Sequence, residues 1–197
     1  MRLLRQPRVH TVATPRDKQI RLLRKCDQMI FVTVGSQLPF DRFIQAFDEL
    51  APELPGNQEV IAQVFGMKYE PKHIKTLEYI NPGNFKEYIL NADLVVSHAG
   101  TGTIISVSQL NKPLIVFPRL GELRETRNNH QVDTCLMLEK TCGLQVAYNA
   151  AQLKEKIFDF LSGRLPVMEQ IPAHASPELL HSLRSFINTE KNLAVGH

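Results

Sequence analysis

The sequence predicts an α/β protein in which a parallel β-sheet is covered by helices on both faces. Two observations lead to this prediction: short β-branched runs alternate with longer amphipathic stretches, and the chain length suits one such domain. The 197 residues are 43% hydrophobic and 22% charged, which is typical of a globular chain with one ordinary domain and an appendage. Strands that are separated by helices need right-handed crossovers, so we expect them to run parallel.

The predicted elements follow the apolar pattern from Met29 onward. The first strand is a buried apolar run, and the helix after it places Phe43, Ile44 and Phe47 on one face. Each later strand is again a short run, and each later helix is a longer stretch. The predicted strands cover residues 30–34, 60–65, 76–80, 94–97, 114–117 and 144–147. The predicted helices cover residues 40–50, 85–91, 103–110, 129–139 and 151–161. This order predicts a Rossmann-like domain over residues 29–165.

The first 28 residues differ in charge from the predicted domain. They contain eight Arg and Lys side chains against two Asp, a balance of +6 that leaves −3 on the rest of the chain. The segment is a solvated extension, the result of a start codon placed before Met29, or a region that contacts anionic lipid or nucleic acid nonspecifically. We expect it to have no catalytic role, and we expect no nucleic-acid partner.

Residues 166–197 form a second appendage. Pro177 opens a predicted last helix, whose apolar stripe comprises Leu179, Leu180, Leu183 and Phe186. This stripe packs on the sheet of its own domain, or it docks a partner or a second copy. The sequence leaves these possibilities open.

Simple features exclude several classes of protein. The longest apolar runs, such as residues 29–34, are far shorter than the ~20 residues of a membrane-spanning helix. Cys26, Cys135 and Cys142 are too few for a disulfide framework and lack C-x-x-C spacing, which indicates a reducing, cytoplasmic compartment. The sequence has no G-x-x-x-x-G-K-[ST] motif, and the glycine loop at Gly100 lacks the third glycine of the dinucleotide fingerprint. A P-loop ATPase or a nicotinamide oxidoreductase is therefore disfavoured.

Polar loops follow three of the predicted strands, at the sheet edge where open α/β folds bind ligands. They comprise residues 35–37, 98–103 and 118–131. In the second loop, glycines let a ligand approach the backbone, and the unpaired N–H groups and dipole of the following helix favour an anion such as phosphate. The alternative is a tight turn in which Thr103 only caps the helix.

The third loop contains Asn128, Asn129, His130 and Gln131 in succession. Amide and imidazole groups suit hydroxyl-rich ligands because they both donate and accept hydrogen bonds. The alternatives are that Asn128 or Asn129 caps the next helix, and that His98 is a core histidine bonded to a backbone carbonyl. The three polar loops converge on one edge of the sheet, which places a phosphate site beside hydroxyl-binding groups. This combination predicts a nucleotide-sugar pocket.

Four segments around these loops form a specific combination. In chain order they are residues 32–37 (VTVGSQ), 92–103 (ADLVVSHAGTGT), 111–119 (NKPLIVFPR) and 127–131 (RNNHQ). Together they resemble the C-terminal domain of glycosyltransferase family 28 over roughly residues 29–162. The resemblance is greatest to the PssE-like soluble subunit of two-subunit bacterial exopolysaccharide glycosyltransferases. The chain is also similar to the catalytic subunit of the eukaryotic dolichol-linked N-acetylglucosaminyltransferase.

This resemblance implies the donor-binding C-terminal half of a GT-B glycosyltransferase that is split over two chains. The implied diphosphate contacts are Gly35, Ser36, Gly100, Thr101, Gly102 and Thr103. The implied sugar contacts are Asn129, His130 and Gln131, and the implied uracil contacts are Ile80, Pro82 and Phe85. Relatives that act on peptidoglycan precursors place a ribose-binding glutamate where this chain has Ser106, so the ribose contact departs from the family pattern.

The resemblance also implies inverting transfer of a hexose from a UDP-sugar to a lipid-linked acceptor, in exopolysaccharide or glycan biosynthesis. Helix-start N–H groups and threonine hydroxyls would stabilise the leaving diphosphate, and because the sequence has no D-x-D motif we expect no metal and no other cofactor. The general base must lie near the acceptor hydroxyl, so we expect it on a membrane-anchored PssD-like partner. His98 and His130 are the candidates within this chain. We expect low activity from the chain alone, and a peripheral location at the inner face of the membrane through the partner.

The alternative function is a non-catalytic nucleotide-sugar-binding or scaffolding subunit. The intact glycine loop and the Asn-Asn-His-Gln segment favour the enzyme, whereas Ser106 favours the scaffold. The sequence leaves the donor open among glucose, glucuronic acid and N-acetylglucosamine.

Overall fold

The computed structural model describes residues 28–172 and, after them, four helical positions at 178, 181, 182 and 185. Residues 1–27 of the basic segment lie outside the described residues. The same holds for the predicted apolar stripe of Leu179, Leu180, Leu183 and Phe186. The predictions about both segments stay predictions.

Six parallel strands form one sheet in the order β3-β2-β1-β4-β5-β6. The strands are β1 (Met29–Thr33), β2 (Glu59–Gln63), β3 (Lys75–Leu77), β4 (Leu94–His98), β5 (Leu114–Phe117) and β6 (Gln145–Val146). The helices are α1 (Asp41–Leu50), α2 (Pro82–Asn91), α3 (Thr101–Gln109), α4 (His130–Cys142) and α5 (Ala150–Leu161). Short 3₁₀ turns cover Ala51–Glu53 and Gly121–Leu123. The predicted α/β class with a parallel sheet is confirmed.

The two faces of the sheet bury separate cores. In β1, Ile30 and Val32 belong to a cluster that includes Phe43 of α1 and Leu153 of α5. Phe31 lies in the other cluster, which contains buried residues of α2, α3 and α4. Because successive side chains of a strand point to opposite faces, this alternation shows that β1 is covered on both sides. Helices on both faces leave the two ends of the strands as the open edges of the domain.

Two helix starts differ from the sequence expectations by two or three residues, and a side-chain cap explains the start of α2. Helix α2 begins at Pro82 rather than at Phe85, because the Asn81 side chain accepts a hydrogen bond of 2.9 Å from the Asn84 backbone. Helix α3 begins at Thr101, so Thr103 lies within its first turn and the expectation that Thr103 caps the helix is wrong.

Strand and helix ends also differ from the predicted bounds, by up to three residues. Strand β3 ends at Leu77 rather than at residue 80, and β6 has only two residues. Helix α4 begins at His130 and extends to Cys142, three residues past the predicted end, where Gly143 adopts a left-handed conformation and ends it. Side-chain period alone does not mark such ends, because the caps and glycines that set them are local features.

The residues after α5 return to the amino-terminal edge of the sheet. Leu165 packs on one core, while Met168 and Ile171 pack on the other. The backbone N–H of Ile171 donates to Ser108 Oγ at 2.8 Å, and that of Glu169 donates to the Cys142 carbonyl at 2.8 Å. The described part of the predicted appendage is therefore attached to the domain. Within the described residues, no helix has the length and apolar character needed to cross a bilayer.

Candidate functional site

The strand order reverses between β1 and β4, which are neighbours in the sheet although β2 and β3 separate them in sequence. Thr33 and Ser97 are paired near the carboxyl ends of these strands, so the loops that follow leave the sheet side by side. Such a switch point opens a crevice at the carboxyl edge of a parallel sheet. The predicted loops at residues 35–37 and 98–103 both lie at this crevice.

A cavity of about 760 Å³ opens at this edge. Its polar and charged lining residues are Gly35, Ser36, Gln63, Glu78, Lys86, Thr103, Ser106 and Gln109. Its apolar and aromatic lining residues are Phe65, Tyr79, Ile80, Pro82, Phe85, Ile89 and Leu110. A second cavity of about 820 Å³ is lined by Asn111, Lys112 and residues of the 160–168 segment, and it includes none of the predicted site residues. The cavity at the carboxyl edge is therefore the candidate site.

The turn after β1 is held by a buried glutamine of the neighbouring strand. Gln63 accepts a hydrogen bond of 2.6 Å from the Thr33 hydroxyl and donates one of 3.0 Å to the Gly35 carbonyl. Gly35 has a φ of +80°, a conformation that side-chain-bearing residues rarely adopt. This position therefore requires glycine, and the turn brings its backbone and Ser36 to the cavity.

His98 ends β4 and supports both glycine loops. A Cβ atom on Gly35 would lie 2.6 Å from the ring carbon Cε1, and one on Gly100 would also collide with the ring. The ring nitrogen Nδ1 lies 3.4 Å from the Thr33 carbonyl, as expected for a core histidine. Burial, together with the nearby Arg119 cation, lowers the pKa of His98 to about 4. The imidazole is therefore neutral at physiological pH.

The glycine loop leads directly into helix α3. Gly100 occupies the N-cap position, and the first intrahelical bond is that of the Ile104 N–H to the Gly100 carbonyl. The N–H groups of the first turn consequently point out of the helix toward the carboxyl edge. Thr103 lines the cavity, whereas Thr101 and Gly102 are exposed at the helix start beside it.

The predicted sugar contacts lie after β5, outside the lining of the cavity. Asn129 accepts a hydrogen bond of 2.9 Å from the Gly121 N–H, and Gln131 accepts one of 3.0 Å from the Arg119 N–H. His130 is exposed, and its backbone and ring both contact the Asn128 side chain. Asn129 occupies the N-cap position of this helix, and its side chain makes no capping bond. The structure brings the predicted uracil and ribose positions and three of the predicted diphosphate positions, Gly35, Ser36 and Thr103, to one cavity. The other three diphosphate positions, Gly100, Thr101 and Gly102, and the predicted sugar positions lie outside its lining.

Several lining residues have no counterpart among the sequence predictions. Gln63 ends β2 at the same edge as the predicted loops, so the rule that ligands bind beyond strand ends also applied to it. Gln109 follows Thr103 and Ser106 at intervals of three along α3, which is helical spacing. Glu78 and Lys86 have no such signal, because they depend on the early end of β3 and the early start of α2.

Two arginines and a glutamate form a further cluster next to the site. Glu125 accepts two hydrogen bonds from Arg42, at 2.7 and 2.9 Å, and one of 2.9 Å from the Leu120 N–H. Arg119 is 2% exposed, and burial lowers its pKa to about 10. Its guanidinium stacks on the Phe40 ring at 4.3 Å. No role was predicted for these side chains from the sequence.

A protein metal site needs several histidine, cysteine or acidic side chains close together. No group of three or more His, Cys, Asp or Glu in residues 28–172 is arranged to hold a metal ion. The expectation of a metal-independent site stays a prediction.

The fold and the cavity define a Rossmann-like domain with a candidate ligand site at its topological switch point. Comparison with known protein families identifies the domain: the family model of the glycosyltransferase family 28 C-terminal domain matches residues 29–182. The chain belongs to this family.

Individual relatives agree with this assignment. Over 72 residues the chain is 38% identical to the UDP-N-acetylglucosamine transferase subunit ALG13 of Candida albicans, a match that covers 36% of this chain and 23% of the relative. It is 27% identical over 151 residues to the UDP-N-acetylglucosamine–N-acetylmuramyl-(pentapeptide) pyrophosphoryl-undecaprenol N-acetylglucosamine transferase of Caldicellulosiruptor saccharolyticus, covering 68% of this chain and 38% of the relative. The chain therefore spans less than half the length of these relatives.

A solved structure of ALG13 shares the fold. It superposes with a TM-score of 0.50 at 20% identity, and the match covers 76% of this chain and 92% of that one. Together with the family match, this likeness confirms the predicted equivalence with a C-terminal glycosyltransferase domain.

Proposed function

We propose that this chain binds the UDP-sugar donor of an inverting glycosyltransferase and supplies the donor half of its active site. The observation that carries the proposal is the cavity at the switch point, which joins the start of α3 to an apolar wall that includes Ile80 and Phe85. Helix-start N–H groups suit a diphosphate, and apolar walls suit a planar base. The names of the relatives, which are UDP-N-acetylglucosamine transferases, support a uridine nucleotide.

The diphosphate lies, in this proposal, between the turn after β1 and the start of α3. Gly35 and Ser36 contribute backbone N–H groups and a hydroxyl from one side. Gly100, Thr101, Gly102 and Thr103 contribute the N–H groups and hydroxyls of the helix start from the other side. The turn follows β1 and the helix start follows β4, which are adjacent strands, so one diphosphate contacts both sides. Its negative charge interacts favourably with the positive end of the α3 dipole.

The uracil and the ribose occupy the remainder of the cavity. Ile80, Pro82 and Phe85 form the wall for the base. Ser106 donates its hydroxyl to the Gly102 carbonyl at 2.8 Å, so it is already engaged within the helix. Gln109 lies one turn further along, and helical side chains lean toward the N-terminus, which directs the Gln109 amide back over Ser106. We propose Gln109 as the side chain that binds the ribose hydroxyls.

The transferred sugar extends from the diphosphate toward the loop after β5. Asn129 and Gln131 already use their carbonyl oxygens for backbone N–H groups, so their amide nitrogens are the groups that would donate to sugar hydroxyls. His130, which is exposed beside them, offers a ring nitrogen to the same hydroxyls.

The reaction is a displacement at the anomeric carbon of the sugar. The acceptor hydroxyl oxygen attacks on the face opposite to UDP, the bond to the diphosphate oxygen breaks, and the electron pair leaves on the diphosphate. The N–H groups of the α3 start and the Thr103 hydroxyl stabilise that negative charge without reorganisation. His98 is neutral and lies beneath the glycine backbones, so we assign it to support of the turn. We propose that the base that takes the acceptor proton is on a partner, and His130 remains the candidate within this chain.

We further propose that the partner is a membrane-anchored, PssD-like subunit that binds a lipid-linked saccharide acceptor. The ALG13 relatives are named as subunits, and the bacterial relatives are named for an undecaprenol-linked acceptor. The PssE-like identity and the role in exopolysaccharide synthesis rest on the segments quoted from the sequence. A peripheral position at the cytoplasmic face of the membrane follows from such a partner.

A non-catalytic nucleotide-sugar-binding or scaffolding subunit is the second candidate. It is favoured by the absence of a glutamate at Ser106. It predicts UDP binding or partner binding without a contribution to transfer.

Transfer to a lipid-linked acceptor by the chain coexpressed with its partner tests the proposal. We expect the pair to be active and the isolated chain to have little activity. Gly102→Trp should abolish transfer, because a Cβ atom on Gly102 meets no atom within 4 Å, so the fold accepts the substitution while the indole occupies the proposed diphosphate position. Lys140→Trp, at the exposed far end of α4, is the matched control and should retain activity. Full activity of the isolated chain, or of the pair with Gly102→Trp, would contradict the proposal.

A further inference from the structure

Arg119 lies two residues after the end of β5 and is buried against the loop that connects β1 to α1. Its side chain is 2% exposed, which is unusual for an arginine. Burial lowers the pKa of Arg119 to about 10, so the guanidinium still carries its positive charge at neutral pH. A buried cation is costly unless its donors are satisfied, so the partners of Arg119 indicate what the side chain does.

The hydrogen bonds that the Arg119 side chain makes within the described residues go to backbone carbonyls of one loop. The guanidinium donates to the carbonyls of Val34 at 3.0 Å, Leu38 at 2.8 Å and Pro39 at 2.5 Å. It also stacks on the ring of Phe40, which ends the loop. One rigid side chain thus binds the chain on both sides of residues 35–37 and fixes the distance between the two ends of that turn.

The turn that Arg119 holds at both ends, residues 35–37, is also the turn that reaches the candidate donor site. Gly35 and Ser36 line the cavity, and neither residue is itself bound by the Arg119 side chain. The guanidinium therefore acts on the turn from behind, at its ends. The backbone N–H of Arg119 donates to Gln131 Oε1 at 3.0 Å, which ties the same residue to the start of α4.

We infer that Arg119 is a positioning residue that holds turn 35–37 in the shape required to bind the donor diphosphate. This inference rests on the proposed function. A preformed turn binds an anion without first losing conformational entropy, which is why fixing it raises affinity. Arg119 touches no substrate in this scheme and acts only through the turn.

Comparison of UDP with uridine tests the inference in the full-length chain. Uridine has no diphosphate, so its affinity does not depend on the turn. Arg119→Lys keeps the charge, but a single ammonium group lacks the fork that reaches three carbonyls. We expect Arg119→Lys and Arg119→Met to weaken UDP binding by about tenfold or more, because charge-assisted bonds hold the turn. Uridine binding should change by less than about twofold.

Arg42→Met is the matched control for a loss of stacking and of charge. Arg42 also lies over the rings of Phe40 and Phe117, but it bonds to Glu125 and to the Pro118 carbonyl instead of to the turn. We expect this variant to lower the thermal unfolding temperature without changing the ratio of UDP to uridine affinity. A parallel loss of both ligands in the Arg119 variants would mean that Arg119 only stabilises the fold and would overturn the inference, as would unchanged UDP binding.

Backbone NMR order parameters of the unsubstituted chain give a second test that does not depend on variants that fold. The N–H groups of residues 35–38 should have order parameters as high without ligand as with UDP, because the turn is already fixed. Low order parameters without ligand that rise only when UDP binds would contradict the inference. If the unsubstituted chain binds neither UDP nor uridine, the proposed function fails and the inference fails with it. If the unsubstituted chain binds UDP, the comparison of UDP with uridine binding in the Arg119 variants tests only the role of Arg119.

Discussion

The imidazole of His98 lies directly beneath the backbone of Gly35, where a Cβ atom would come within 2.6 Å of the ring carbon Cε1. The same ring occupies the space beneath Gly100. The His98 ring, at the end of β4, therefore limits how closely the backbones of both glycine loops approach the sheet at its carboxyl edge. This contact explains why two loops that are far apart in sequence form one site.

Alanine at Gly35 tests this contact. The positive φ of +80° and the collision with His98 should together lower the free energy of unfolding by about 1–3 kcal/mol and weaken UDP binding. Gly102→Ala is the control, since a Cβ there meets nothing within 4 Å and alanine is favourable in a helix. Chemical denaturation of both variants measures the effect, and equal stability of the two would contradict the assigned role of His98.

The buried state of His98 predicts a specific pH dependence of stability. The pKa is lowered by burial from 6.5 to about 4, so the unfolded chain binds more protons than the folded chain between these values. Stability from this group is therefore complete above pH 6.5 and declines as the pH falls toward 4. His98→Asn should flatten the unfolding free energy across this interval relative to the unsubstituted chain. An unchanged profile would show that His98 is not buried in its neutral form.

Gln109→Ala tests the proposed ribose contact. Loss of one or two hydrogen bonds should weaken UDP binding by roughly threefold to tenfold and leave 2′,3′-dideoxy-UDP binding almost unchanged. Ser106→Ala is the paired control, and it should affect neither ligand because the Ser106 hydroxyl is bonded to the Gly102 carbonyl. Isothermal titration of the four combinations measures this coupling. If Ser106→Ala has the effect expected of Gln109→Ala, the ribose contact is at Ser106.

Metal chelation tests the expected charge stabilisation by backbone and hydroxyl groups. We expect UDP affinity and transfer by the partnered enzyme to be the same in EDTA and in millimolar magnesium. The reason is that the start of α3 supplies the positive potential that a divalent cation supplies elsewhere. A large loss of transfer in EDTA, restored by magnesium, would contradict this account of the leaving group.

The fold class could be predicted from the sequence because the hydrophobic period and the spacing of the strands are strong signals. Strands β1, β4 and β5 are apolar runs that are buried on both faces, and their bounds differ from the prediction by one residue or less. Strand β3 is different, because only Leu77 of its three residues is partly buried, so its apolar pattern is weak. Its early end moved Glu78 and Tyr79 from the predicted strand to the wall of the cavity.

The site was predictable where it depends on loops after strands and less so where it depends on distant contacts. Gly35, Ser36 and Thr103 meet at the cavity because neighbouring strands end together. Arg119 was not predictable as a positioning residue, since its bonds to Val34 and Leu38 span more than eighty residues of sequence. The spacing of residues within a short segment does not indicate such long-range contacts.

Titration of UDP into the purified chain tests the central claim most directly. ADP and GDP serve as controls for the base, and Gly102→Trp, with Lys140→Trp beside it, serves as the control for the diphosphate position. We predict that UDP binds selectively to the unsubstituted chain and to Lys140→Trp and that Gly102→Trp abolishes this binding. Absence of selective UDP binding both alone and with the partner present, or equal binding by Gly102→Trp, would contradict the assignment of the donor site.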